Sequence, residues 1–329
     1  VLGPARPKVA CAGKPVAMPA GNACYPRAMT YLFEDETHRA LRSEIRRFAA
    51  AEVAPNASAW EEANEFPKEL YRRAADVGFL GAGYPTDLGG AGGDLGHALV
   101  AAEEMVLAGK SVGTCVGLGS LGIAVPPILK FGTAEQKERF VKPALSGEKI
   151  CSLGITEPGG GSDVAAIRTK AVREGDVYVV NGAKTFITSG CRADYVTTAV
   201  RTGEPGHAGV SLLIIESHTP GFSVAGKLRK TGWWASDTAE LLFEDCRVPA
   251  KNLIGKENAG FPMIMANFVT ERLMIAAQCV AIGELAYRES VAYAKDREAF
   301  GRPLTGFQVT RHKLADMATR IAAARALTG

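Results

Sequence analysis

The sequence predicts an α+β chain of several domains: an N-terminal all-α domain, a middle antiparallel β barrel or sandwich, and a C-terminal α-bundle that is incomplete. Three observations predict it. Apolar residues recur at helical spacing from about Phe33 to Lys149. Near Ile150 the pattern changes to short β-rich runs separated by Gly and Asn, and this continues for about 100 residues. After Pro249 a long apolar stretch with helical character returns. The boundaries expected are a disordered extension over 1–29, helices over 30–150, sheet over 151–256, and a partial helical bundle over 257–329.

The extension is set apart by composition. Residues 1–28 hold five prolines, four basic residues (Arg6, Lys8, Lys14, Arg27) and no acidic residue, without periodicity of either kind. In the helical part, Leu41, Ile45, Phe48 and Val53 lie three to five apart, and Pro55 marks a stop. Pro67 suits a first helical turn and Gly78 its end. Thr133 with Gln136 three residues on matches a capping box. The uncharged run Ser111 to Leu129 has the length of a membrane span. Its four glycines and Pro126-Pro127 argue instead for a buried helix near a core, so no membrane span is expected. In the β part, Asn181-Gly182 between two β-rich runs is a hairpin signal.

Bulk composition narrows the function classes. Net charge is +3, with 22% charged and 47% hydrophobic residues and no basic cluster of the kind that grips nucleic acid. The seven cysteines are scattered and never form C-x-x-C, which argues for a reduced compartment and no structural zinc. Neither H-E-x-x-H nor G-x-S-x-G occurs, so metalloprotease and hydrolase readings lack their motifs.

Two features carry chemistry. The first is "ITEPGGGSD", Ile155 to Asp163. It lacks the lysine of a P-loop, and it leads into strands rather than the helix of a dinucleotide-binding loop. With Thr156, Ser162 and Thr188 supplying hydroxyls, it suits a planar polar ligand; a plain surface turn is the competing reading. The second is Glu271. Between Pro262 and Ala286 the only charged residues are Glu271, Arg272 and Glu284, and so apolar a helix is expected to be buried. A buried carboxylate either finds a partner or raises its pKa. Arg272, next in sequence, points about 100° away around the helix. Glu271 is therefore either half of a structural ion pair or a general base.

Taken in order, "ITEPGGGSD", "NGAKTFITSG", "SDTAELLFEDCRVP", "NLIGKENAGF", "ERLMIA" and "REAFGRPLTGFQ" resemble the acyl-CoA dehydrogenase family of flavoenzymes, most of all its long-chain and isovaleryl members. The resemblance runs from about Thr30 to the last residue, and relative to the family pattern the chain reads as truncated after two helices of the C-terminal bundle. It implies FAD as cofactor, an acyl-CoA substrate, a homo-oligomer (dimer or tetramer) and electron-transfer flavoprotein as electron acceptor, with no nucleic acid or membrane partner. Leu153, Gly154, Ile155, Thr156, Gly161 and Ser162 would run along the flavin. Phe186, Ile187 and Thr188 would meet it from another side. Arg297, Ala299, Phe300 and Gln308 would reach the FAD of a neighbouring subunit. Ser162, Val269 and Arg272 match positions that contact acyl-CoA, Val269 standing where several relatives carry an aspartate. The Glu of "ERL", Glu271, would be the base that takes the α-proton. An oxidase of the same superfamily, or a non-catalytic truncated paralogue acting in assembly, are the alternative readings. The expected compartment is the cytoplasm in a bacterium or the mitochondrial matrix in a eukaryote.

Overall fold

The structure, a computed structural model, describes residues 31–329; the extension expected over 1–29 lies outside them. Asp35 opens α1 (Glu36–Phe48), its carboxylate accepting the backbone N–H of Thr37 and of His38. Ile45 and Phe48 turn inward, as their spacing implies. Pro55 does not stop the helical path. A π-helical turn (Ala49–Val53) and a 3-10 turn (Ala54–Asn56) carry it into α2 (Ala57–Ala63). A proline is tolerated in the first turn of a new segment, where its missing N–H is not needed. Two residues past Pro67, α3 (Glu69–Asp76) begins, and the chain leaves it through Gly78 at φ +81°. Next comes α4 (Leu95–Gly109), capped by Asp94 and buried along most of its length.

The run expected to be one buried helix is three short ones: α5 (Val112–Leu118), α6 (Leu121–Ala124) and α7 (Pro126–Phe131). Gly119 and Ser120 interrupt the first pair, and Pro126-Pro127 offer no N–H to continue the second. Thr133 and Gln136 form the expected capping box, which opens α8 (Ala134–Gln136). Beyond it a π-helical turn leads to α9 (Lys142–Leu145). The Gln136 amide also donates to the carbonyls of Lys251 and Leu253, both at 2.8 Å, which ties this helix to the end of the β region. Thr133→Ala should cost about 1 kcal/mol, read as a lower denaturant midpoint at unchanged slope.

Seven strands form one curled sheet: β1 (Cys151–Gly154), β2 (Lys170–Glu174), β3 (Val177–Thr188), β4 (Tyr195–Arg201), β5 (Val210–Glu216), β6 (Phe222–Lys227) and β7 (Thr238–Pro249). Most pairs are antiparallel, but β1 and β2 both run parallel to β4. The Asn181-Gly182 hairpin is not formed. β3 passes straight through it with a bulge against β7, and the β2–β3 turn lies at Gly175, φ +61°. Gly182 is required at the bulge because a Cβ there would lie 2.7 Å from Thr169 Cα. One face of the sheet encloses its own core (Tyr178, Val180, Leu213, Leu241, Phe243). Residues on its other side, including Tyr195, Leu212 and Ile214, join the core of the helices.

The chain then enters α10 (Gly260–Asp296), a hairpin of β8 (Glu298–Ala299) and β9 (Arg302–Pro303), and α11 (Gln308–Thr328). By length and composition α10 would suffice to cross a bilayer; here it packs along α4 and α11 and touches α6, α7 and β5. It is not buried all round, since Val269 and Ile275 are more than half exposed. A knot of buried ion pairs sets its position. Arg42 of α1 bonds Glu34, Glu103 and Glu104, while Arg325 of α11 bonds Glu103 of α4 and Glu284 of α10.

Candidate active site

Where α10 passes the α4–α6 layer and the end of β3, a cavity of about 340 Å³ opens. Its walls are mostly apolar: Phe79 and Leu80 come from the turn after α3, Ala98 and Ala102 from α4, Val116 from α5, Met274 and Ile275 from α10. Among its polar lining residues, which include Ser120, Thr270 and Gln278, two come from distant parts of the chain and matter most for chemistry. Thr188 ends β3, and Glu271 projects from α10. Burial pushes the Glu271 carboxyl up to about 7, the Arg272 charge easing it down. No ion pair to Glu271 is formed among the described residues, which removes the structural-pair reading. Its contact is an amide: Asn267 Nδ2 donates to Glu271 Oε1 at 2.5 Å. Arg272 turns outward, its guanidinium 5.8 Å from the Phe268 ring centre.

The glycine loop follows the end of β1 and bonds to β3, whose last residue, Thr188, lines the cavity. Leu153 and Gly154 pair with Thr197 and Thr198 of β4. Thr156, half-buried, bonds across to β3 by accepting Thr185 N–H at 2.9 Å. Glu157 and Gly160 close a tight turn on each other, and an added Cβ at Gly159 or Gly160 would meet no atom within 4 Å. Gly161 and Ser162 are exposed. On β3, Ile187 is buried while Phe186, at φ +60°, shows two-thirds of its surface to solvent. A bulky residue in that region of backbone space is strained, a state that persists at ligand sites when the surroundings impose it.

Beneath the loop sits a pair that the sequence reading missed. Lys184 is fully buried, and its Nζ donates to Glu157 Oε1 at 2.8 Å and to the Ile155 carbonyl at 3.0 Å. The backbone N–H groups of Arg168 and Thr169 donate to the same carboxylate at 2.6 and 2.9 Å. Burial lowers Lys184 to about 8 against the pull of Glu157. Burial raises the Glu157 carboxyl, but Lys184 and the hydrogen bonds outweigh it and hold it below the usual range. Both groups are therefore charged at neutral pH. The signal was present in the two-residue period of β3, which runs inward from Tyr178 and Val180 to Lys184.

The remaining expected site residues are not gathered here. Arg297, Ala299, Phe300 and Gln308 lie at or beyond the far end of α10, about 39 Å along the helix from Glu271. There Phe300 is 94% exposed at φ +53°. Ser162, Val269 and Arg272 are exposed and outside the cavity wall. Trp233, also at positive φ, lines the cavity and was not singled out in the sequence.

Family models described as the N-terminal, middle and C-terminal domains of acyl-CoA dehydrogenase match residues 35–148, 152–246 and 258–328. The chain is 41% identical over 288 residues to an acyl-CoA dehydrogenase of Bacillus subtilis, covering 87% of this chain and 76% of that one. Among solved structures, it is similar to a probable acyl CoA dehydrogenase from Mycobacterium abscessus (TM-score 0.88, 53% identity, 89% and 78% of the two chains). It is also similar to a glutaryl-CoA dehydrogenase from Mycobacterium smegmatis in complex with FADH2 (TM-score 0.83, 28% identity, 90% and 75%).

Proposed function

The chain belongs to the acyl-CoA dehydrogenase family, and we propose that it removes an α-proton and a β-hydride from an acyl-CoA thioester to give a trans-2-enoyl-CoA, with electron-transfer flavoprotein as the final acceptor. It is an oxidoreductase acting on acyl-CoA, and its cofactor is FAD. The observation that carries the reading is the shared cavity: Glu271 and Thr188 open into one apolar space.

The residues present fit a flavin. Thr156 and Thr188 offer hydroxyls, Phe186 an exposed ring, and Gly159 and Gly160 open space, which together would serve as a ledge for the cofactor. FAD, when bound, supplies the acceptor for the β-hydride. The chain's own residues do the rest. Glu271 takes the α-proton on its carboxylate, and a base poised near neutrality is matched to that task. Phe79, Leu80, Ala98 and Met274 hold the acyl chain and keep water away from the base. The exposed hydroxyl of Ser162 and the guanidinium of Arg272 are free to meet the polar end of the thioester carrier. The distance of Arg297, Ala299, Phe300 and Gln308 from the cavity supports their serving the FAD of a neighbouring subunit, in a homodimer or homotetramer.

The test is direct. Protein loaded with FAD should be yellow and should bleach anaerobically with acyl-CoA. A scan of acyl chains then ranks substrates by bleaching rate. Reoxidation should be much faster with electron-transfer flavoprotein than with oxygen; turnover that releases peroxide at the faster rate would favour an oxidase and overturn the reading.

A further inference from the structure

Asn267 is almost fully buried on α10, one helical turn before Glu271. Its Nδ2 donates twice, to the Ile123 carbonyl at 3.0 Å and to Glu271 Oε1 at 2.5 Å. The first bond has a cause in the sequence. A helix carbonyl is normally met by the N–H of the fourth residue on. For Ile123 that residue is Pro127, and the third is Pro126; neither carries an N–H. The proline pair therefore leaves the half-buried Ile123 carbonyl without a backbone donor, and a carbonyl withdrawn from water needs one. Asn267 supplies it. Because a carbonyl can only accept, the amide nitrogen and not its oxygen must face Ile123, which fixes the orientation of the amide. Its second N–H is then presented to Glu271.

We propose that Asn267 is the positioning residue of the base: pinned by the Ile123 carbonyl, it holds one oxygen of Glu271, leaves the other for the acyl cavity, and favours the ionised carboxylate. The inference rests on Glu271 being the base. A donor to a carboxylate favours its charged form and so works against burial. Among the described residues, the other charged group acting on Glu271 is Arg272, on the same helix, and the only other titratable group lining the cavity is the Cys115 thiol of α5, which burial pushes up to about 12. Ile123 itself lines the cavity, so the wall that touches the acyl chain and the base are tied through one amide.

The test uses Asn267→Leu and the near-isosteric Asn267→Asp in the FAD-loaded protein. Two readouts are followed against pH: the flavin bleaching rate, and the infrared band of the protonated Glu271 carboxyl, assigned by its loss in Glu271→Gln. Losing the donor should raise both midpoints by about one pH unit, so that bleaching at pH 7 falls about fivefold and recovers in alkaline solution. Asn267→Asp should shift them further, since a second carboxylate opposes ionisation. A purely structural role would lower the rate without moving either midpoint, and midpoints that stay put in whichever variant folds overturn the proposal. If Glu271→Gln bleaches at the parental rate, the base assignment fails, while the infrared titration still reports on the Asn267 contact.

Discussion

Glu271→Gln should keep its FAD yet lose about 10²–10⁴ of the rate at which acyl-CoA bleaches the flavin, the span general base catalysis supplies. The substitution preserves shape, and the Gln carbonyl can still accept the Asn267 N–H, so the loss would report the missing proton acceptor rather than a rearranged cavity. The pH dependence follows from the same group. Burial raises the carboxyl to about 7, and only the ionised form can take a proton. The parental rate should therefore be low in acid, climb through a midpoint near pH 7, and level off in mild alkali. In Glu271→Gln that ionisation should vanish from the residual rate. Stopped-flow bleaching over pH checks both statements. A variant that bleaches at the parental rate would place the base elsewhere.

Glu271 was legible because the run from Pro262 to Ala286 carries so few charges: an acid in an apolar run either needs a partner or has a task. Its surroundings were not legible. The cavity walls Phe79, Leu80, Ala98 and Ala102 lie more than 150 positions before it, and nothing local in either segment states that they meet. The helix–sheet–helix order was readable from periodicity, yet two punctuation marks misled. Asn181-Gly182 usually turns a chain, but here the Asn181 side chain pairs with Asp245 across the sheet and the glycine admits Thr169, so the pair makes a bulge. Pro55 usually ends a helix, but here it sits where the next segment needs no donor. Tertiary contacts decided the first, and position within a helical turn the second. Pro126-Pro127 shows the reverse case: a pair that in the sequence weighed only against a membrane span creates the unmet carbonyl that Asn267 answers beside the base.

Lys184→Met should destabilise the fold by about 3–5 kcal/mol, because it leaves the Glu157 carboxylate buried without its counter-charge. The effect should also reach the cofactor ledge. Lys184 ties the Ile155 carbonyl to Glu157, and Glu157 in turn holds the Arg168 and Thr169 backbone on the far side of the glycine loop. One ion pair thus braces both ends of the segment that carries Thr156, Gly161 and Ser162. Without it the loop has no fixed backing, and apparent FAD affinity should fall together with stability. The double variant Lys184→Met, Glu157→Leu separates the two roles. Removing both charges takes away the unpaired carboxylate, so much of the lost stability should return. The backbone N–H groups of Arg168 and Thr169 would still lack their acceptor, so weak FAD binding should persist. Denaturant unfolding and flavin titration measure the two quantities independently. If Lys184→Met unfolds at the parental midpoint and binds FAD as tightly, the pair is not the brace of the loop. If the double variant recovers FAD affinity along with stability, the loop is held by packing, and the buried charges only offset each other.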